Sequence, residues 1–262
     1  MPSTIDMKSL FEAGVHFGHR TEKWDPRMKP YIFGAQHGVH VIDLSHTVRQ
    51  IEKASRFLKS VAASGGKVLF VGCKKQSQQT VQELAERSNS YHVTHRWLGG
   101  MLTNLHTIRK TVAHMHEIEE MEKNGRMQAM PKHESSALRR ELAKLQRNLG
   151  GVRAMNKPPT ALVIVDPVRE EIAVQEAAKL KIPIVAINDT NSNPECVDYS
   201  IVGNDDAMRS IRLILDLLNE AIIEGNLESS KRRADEEKTE KAEKAKTSSE
   251  STEPAVTSAS ST

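Results

Sequence analysis

Apolar residues follow two rhythms along this chain. KVLFVG (67–72), TALVIVD (160–166) and IPIVAIND (182–189) are short, continuous, β-branched runs. Such runs predict strands buried on both faces of a parallel sheet. Shorter extended pieces are YIF (31–33) and VHVI (39–42), set around a Gly34/Gly38 turn, then YHV (91–93) and YSIVG (199–203). Helical spacing fills the intervals. Asp6 is placed to cap a helix over 7–13 that Gly14 stops. Ser45 opens a helix to about Ala63 with Val48, Ile51, Ser55, Leu58 and Ala62 on one face, and Gly65–Gly66 ends it. Further helices are predicted at about 75–88, 168–180 and 206–224; the last carries Met208, Ile211, Leu215, Leu218 and Ile222. Strand–helix alternation of this kind predicts an α/β fold with helices on both faces of a parallel sheet.

One segment breaks the alternation. From Thr103 to Gly150 there is no strand signal. Leu105, Ile108, Val112, Met115, Ile118 and Met121 make one narrow stripe, and Leu138, Leu142, Leu145 and Leu149 make another. Gly125 and Pro131 punctuate the stretch between them. This pattern predicts an antiparallel coiled-coil hairpin inserted into the sheet domain. At about 20 residues per arm it would reach roughly 30 Å. Beyond Leu227 the chain turns charged and then Ser/Thr-rich, which predicts disorder with a transient helix at 231–246. The expected organisation is an α/β domain from residues 1–102 and 151–225, a hairpin over 103–150, and a tail over 226–262.

Charge sharpens this picture through its distribution. Residues 1–110 hold 16 Lys/Arg against 8 Asp/Glu, whereas residues 151–225 hold 7 against 12. Nine of the ten aromatic residues fall in residues 1–110. A basic, ring-bearing half suggests a polyanion partner on one face. Cys73 and Cys196 make neither a zinc ribbon nor a disulfide framework. No leader pattern opens the chain, and no apolar run nears the ~18–20 residues of a membrane span, so a soluble cytosolic protein is expected.

The densest stretch is AGVHFGHRTEKWDPRMKPYIFG (13–34). It has neither helical nor strand periodicity, and Pro26 and Pro30 keep it extended or turning. Phe17, Trp24, Tyr31 and Phe33 interleave with Arg20, Lys23, Arg27 and Lys29. Cations suit phosphates and rings suit splayed bases, so this arm reads as an RNA-facing surface; the alternative is an irregular arm packed on its own domain. HRWLGGMLTN (95–104) is a second dense segment, with Trp97 as core and His95 or Arg96 facing out.

Catalytic chemistry finds little support. In VLFVGCKKQS (68–77) only Gly72 of the P-loop pattern GxxxxGK(S/T) is present, GxGxxG is absent, and there is no GxSxG elbow. Lys74 and Lys75 at a helix start could still grip an anion. Asp189 and Asp205 should lie at the carboxyl edge of the sheet, where His16 could join them in holding a divalent ion. The other reading is that these acids cap loops and helices. A nucleotide- or metal-dependent α/β enzyme using Asp189 and Asp205 is the competing class.

The arm, VHVIDL (39–44), LFVGCKKQ (69–76), HRWLGGMLTN, IVDPVREEIAVQEA (164–177) and IPIVAINDTNSNPECVDYSIVGNDDAMRSI (182–211) together resemble the bacterial small-subunit ribosomal protein S-two family, over roughly residues 5–225. The chain departs from that pattern at Cys73, where Thr is usual, and in its long tail. The resemblance implies a flavodoxin-like five-stranded parallel sheet with an inserted coiled-coil hairpin. It implies a non-enzymatic constituent of the cytoplasmic small ribosomal subunit, with no membrane and no small-molecule substrate. Its partners would be small-subunit (16S) rRNA, neighbouring small-subunit proteins, and ribosomal protein S-one, whose docking it would support. Carried onto this chain, the RNA-binding set is Arg20, Lys23, Trp24, Arg27, Lys29, Lys74, Lys75, His95 and Arg96. No cofactor is required, and a structural divalent ion at His16, Asp189 and Asp205 is the one addition.

Overall fold

The three long apolar runs lie side by side as neighbouring strands of one parallel sheet. The computed structural model describes residues 6–250, with side chains through Arg232. Its elements are, in chain order, α1 (Met7–Glu12), β1 (Phe17–Arg20), β2 (Ile32–Gln36), β3 (Val39–Ile42), α2 (Leu44–Ala63), β4 (Val68–Val71), α3 (Lys75–Arg87) and β5 (Tyr91–Val93). Then come α4 (Leu105–Lys123), α5 (Lys132–Leu149), β6 (Ala161–Val165), α6 (Glu171–Lys179), β7 (Ile184–Asn188), β8 (Tyr199–Val202) and α7 (Met208–Glu250). The main sheet is five-stranded, ordered β5-β4-β6-β7-β8, and every pair in it is parallel. That is the doubly wound order in which the second strand flanks the first, with ligand-prone loops at the carboxyl edge.

Period-two alternation divides the core. Val68 and Phe70, Val163 and Val165, and Val185 and Ile187 face α1, α2, α3 and α7. Leu69 and Val71, Leu162 and Ile164, and Ile184 and Ala186 face α6 and the 97–155 region. The stripes of α4 and α5 are buried at Ile108, Val112, Met115, Ile118, Leu142 and Leu149, and this cluster is continuous with the second face. Across the two helices Gln146 Nε2 donates to Glu119 Oε1 and His114 faces Glu141 at 3.4 Å.

Three features differ from expectation. The arm is not irregular throughout: β1, β3 and β2 form a three-stranded antiparallel sheet, with 3-10 turns over Thr21–Lys23 and Pro26–Tyr31. The period-two signal is masked because β1 is short and polar, FGHR, and its side chains are only partly buried. The cap of α2 is Asp43, whose carboxylate accepts from Ser45 N, rather than Ser45. The last helix does not stop at 224. At Gly225 a Cβ would lie 2.5 Å from Lys59 O, so the glycine lets α7 cross α2 closely.

The helix then runs through residues expected to belong to the tail. Ser229 is buried, Asn226 Nδ2 donates to Ser88 O at 2.9 Å, and Arg232 donates to Ala63 O at 3.1 Å. Lys59 meets Glu224 and Glu228 at 3.1 and 2.9 Å. Residues 226–232 therefore belong with the α/β domain, and the expected disorder of 251–262 lies outside the described residues.

Candidate nucleic-acid interface

The arm is tied to the carboxyl edge of the sheet by backbone bonds. Asn204 N donates to Val15 O at 3.0 Å, Asp25 N to Thr190 O at 2.8 Å, and His19 N to Thr190 Oγ1 at 2.9 Å. Gly18 is required here, because a Cβ would sit 2.6 Å from Thr190 Cγ2. Asp25 caps the following turn by accepting from Arg27 N. Anchored on this side, the arm turns its cations outward. Arg20, Lys23, Arg27 and Lys29 are all exposed, and only Arg27 has an acidic neighbour among the described residues, Glu195 at 3.9 Å. Trp24 is half-buried, its ring 5.3 Å from His40.

Two more cationic positions flank the same edge. Lys75 opens α3, directly after β4, and is exposed. His95 and Arg96 follow β5 and are both exposed, while Trp97 beside them is buried. The loop that carries them is held by one side chain that sequence reasoning missed. Glu176 of α6 accepts at Oε1 from Trp97 Nε1 (3.1 Å) and Gly100 N (2.7 Å). Its Oε2 accepts from Leu102 N, Thr103 N and Thr103 Oγ1, each at 3.0 Å. Burial pushes this carboxyl up, but the donors from Thr103, Trp97, Leu102 and Gly100 outweigh it and hold the pKa below the usual value. The available signal was a glutamate on the same helical face as the buried Ala173 and Ala177.

Between arm and sheet lies a buried charge cluster. The ammonium of Lys74 sits 2.7 Å from Asp205, 2.8 Å from Asp166 and 2.9 Å from Asp206. His19 Nδ1 is 3.0 Å from Asp189, and Nε2 is 3.5 Å from Asp206. Burial lowers the pKa of Lys74, but the three carboxylates more than reverse this and leave it raised. Burial, then Asp189 and Asp166, push Asp205 up to about 7. The Asp189 hydrogen bond raises His19. Ligand atoms of His19, Asp205 and Asp206 lie within 4.8 Å of one another.

Two expected assignments change with this geometry. Lys74 is nearly buried and neutralised inside the chain, so it is withdrawn from the phosphate-contact set. His16 is not the imidazole that meets the acids. It stacks on Phe11 at 4.2 Å and leans on Phe17 at 4.1 Å, and its buried Nδ1 has no partner. His19 takes that place, and Asp205 remains in the cluster. Asp189 contacts His19 instead of completing the three-residue set. HFGH offered both histidines, and three residues apart in an extended chain they point to opposite sides.

Among the described residues no helix is long and apolar enough to cross a membrane. The family model for ribosomal protein S2 matches residues 10–225. The chain is 49% identical over 239 residues to small ribosomal subunit protein uS2 of Solidesulfovibrio magneticus, covering 91% of this chain and 93% of that one. It is 49% identical over 229 residues to the protein of the same name from Desulfatibacillum aliphaticivorans, covering 87% and 78%. A match through both the arm and the last strand, on a doubly wound sheet whose carboxyl edge carries the arm, places the chain in the ribosomal protein S2 family.

Proposed function

We propose that this chain is a structural constituent of the cytoplasmic small ribosomal subunit that binds small-subunit rRNA through the carboxyl edge of its sheet. The observation that carries this reading is the set of outward cations there. Arg20, Lys23, Lys29, Lys75 and Arg96 are exposed and make no ion pair among the described residues, so they are free for phosphates. His95 and Trp24 stand beside them as a donor and a ring. About 4–6 phosphate contacts would give a log–log salt slope of about −3 to −5.

The rigid sheet, the arm lashed to it and the loop clamped by Glu176 position these groups before RNA arrives. The α4–α5 pair serves as the coiled-coil hairpin that reaches neighbouring RNA or protein. The family resemblance supports a further role in docking ribosomal protein S-one. The His19, Asp205 and Asp206 set suits a divalent cation, because one imidazole and two carboxylates, one of them buried, converge there and Asp205 Oδ2 has no partner among the described residues.

The test is sedimentation of the tagged full chain in lysate gradients at low and high salt. Co-migration with small subunits is expected, lost only at high salt, and reduced by Arg27→Ala with Lys29→Ala without unfolding. A slow free peak with no RNA would refute the reading. Depletion of ribosomal protein S-one from small subunits lacking this chain tests the docking role. A zinc-dependent rise in melting temperature, lost in His19→Ala, tests the cation.

A further inference from the structure

The outer face of α2 carries a second cationic surface, remote from the carboxyl edge. Arg49, Lys53 and Arg56 step by four and three residues, so they share one helical face, and all three are exposed. None makes an ion pair among the described residues, in contrast to Lys59 on the neighbouring face, which is held by Glu224 and Glu228. Arg56 Nε donates to the backbone O of Glu52, and the acidic groups beside the row are the exposed Glu52 and, near Arg49, Asp43. From Arg49 to Arg56 the helix advances ~10 Å.

Aromatic rings lie at one end of this row. Phe57 stacks on Tyr199 of the edge strand β8 at 4.4 Å and 16°. Lys53 Nζ stands 5.6 Å above the Tyr199 ring. The two rings, Lys53, Arg56 and Ser60 line a shallow open cavity of about 490 Å³. Tyr199 pairs with Val185 near the start of β7, which puts the cavity toward the amino edge of the sheet. The arm and the charge cluster lie at the opposite edge.

We propose that this α2 face is a second RNA site that takes a single-stranded segment, with its phosphates on Arg49, Lys53 and Arg56 and a base in the Phe57–Tyr199 cavity. The inference rests on the rRNA-binding reading above and extends it to a surface that the arm does not include. Unspent cations supply charge complementarity to a polyanion. A ring pair beside them is what a base needs and an acidic peptide does not. Two sites on opposite edges of one rigid domain would hold RNA by avidity, each raising the effective concentration at the other.

The test uses the full chain and a short labelled oligo(A) RNA, titrated across a range of salt. Three variants are compared with the parent: Arg49→Ala/Lys53→Ala/Arg56→Ala, Tyr199→Leu, and Arg27→Ala/Lys29→Ala in the arm. The triple variant should lose affinity about tenfold and flatten the salt slope by about 2, on the parent and on the arm-variant background alike. Tyr199→Leu should weaken binding about fivefold and leave the slope unchanged. An unchanged triple variant, with the parent still binding RNA, overturns the α2 site and leaves the arm reading standing. Competition by poly-glutamate as strong as by unlabelled oligo(A) also overturns it, in favour of an acidic protein partner. Failure of the parent to bind either oligo(A) or small-subunit RNA refutes the rRNA reading itself. Thermal melts confirm that each variant is folded.

Discussion

Replacing Glu176 by Gln changes one oxygen into an amide group and should cost far more than its size suggests. Five donors converge on the carboxylate, two on Oε1 and three on Oε2. Whichever oxygen the amide replaces, two N–H donors then face N–H. They are either Trp97 Nε1 with Gly100 N, or Leu102 N with Thr103 N. The Thr103 hydroxyl can rotate to accept, but the N–H groups cannot. Leaving two donors in this mostly buried site unmet costs ~1–3 kcal/mol each, or about 2–6 kcal/mol together. For a domain of this size, at about 2–4 °C per kcal/mol, that lowers the melting temperature by about 4–24 °C. Glu176→Leu strips all five donors and should melt lower still. The assay is circular-dichroism melting of the full chain at pH 7. A Gln variant within about 2 °C of the parent would refute the clamp.

The same variant carries a pH signature. The folded-state pKa of Glu176 lies below its ordinary value of 4.5. Its stabilisation is therefore present above pH 4.5 and is lost as pH falls through the folded-state value. The gap between parent and Glu176→Gln should narrow from pH 7 towards pH 3. A constant gap would mean that the charge plays no part. Because this clamp holds the loop bearing His95 and Arg96, the Gln variant should also bind small-subunit RNA more weakly than its residual fold would require.

Three further outcomes follow from particular contacts. Lys74→Met leaves buried Asp166 and Asp205 without their ammonium and should cost about 3–5 kcal/mol. That loss should be larger at pH 8 than at pH 5, because Asp205, at about 7, is protonated at the lower pH; equal losses in melts at the two values would refute this. Gly151→Ala would place a Cβ 2.2 Å from the backbone O of His92, so urea denaturation should show a lower midpoint; an unchanged midpoint means the loop shifts freely. Truncation after Arg232 should leave the melting temperature intact, whereas truncation after Glu224 removes the Asn226, Glu228 and Arg232 contacts and should lower it by several degrees; equal melts would refute docking of 226–232.

Much of the fold was legible because its signals are local. KVLFV, TALVIV and IPIVAIN are apolar at every position, and only a strand covered on both sides buries such a run. Helix spacing in α2, α4, α5 and α7 came through for the same reason, since one stripe meets one surface. The outward cations of the arm were legible as a composition that no core could absorb. What misled were residues whose role depends on a partner far along the chain. The last helix was read to residue 224, yet only the approach of α2 shows that Gly225 just beyond it is a crossing point. Lys74 looks like a phosphate ligand until Asp166, Asp205 and Asp206 arrive from other strand ends, more than ninety residues away. His16 and His19 are equivalent in sequence, and only the seating of β1 on Thr190 decides which one meets Asp189. Glu176 is one glutamate among many until Trp97 and the 100–103 backbone close around it. By itself the sequence determined the five strands of the parallel sheet, the helices as far as residue 224, and which half of the chain is basic, because those depend on neighbours a few residues apart; the strand in the arm, β1, needed its partner β3. Which charges are spent inside and which stay exposed was decided by the tertiary structure alone, because an ion pair is a matter of distance in space, and the doubly wound topology sets those distances.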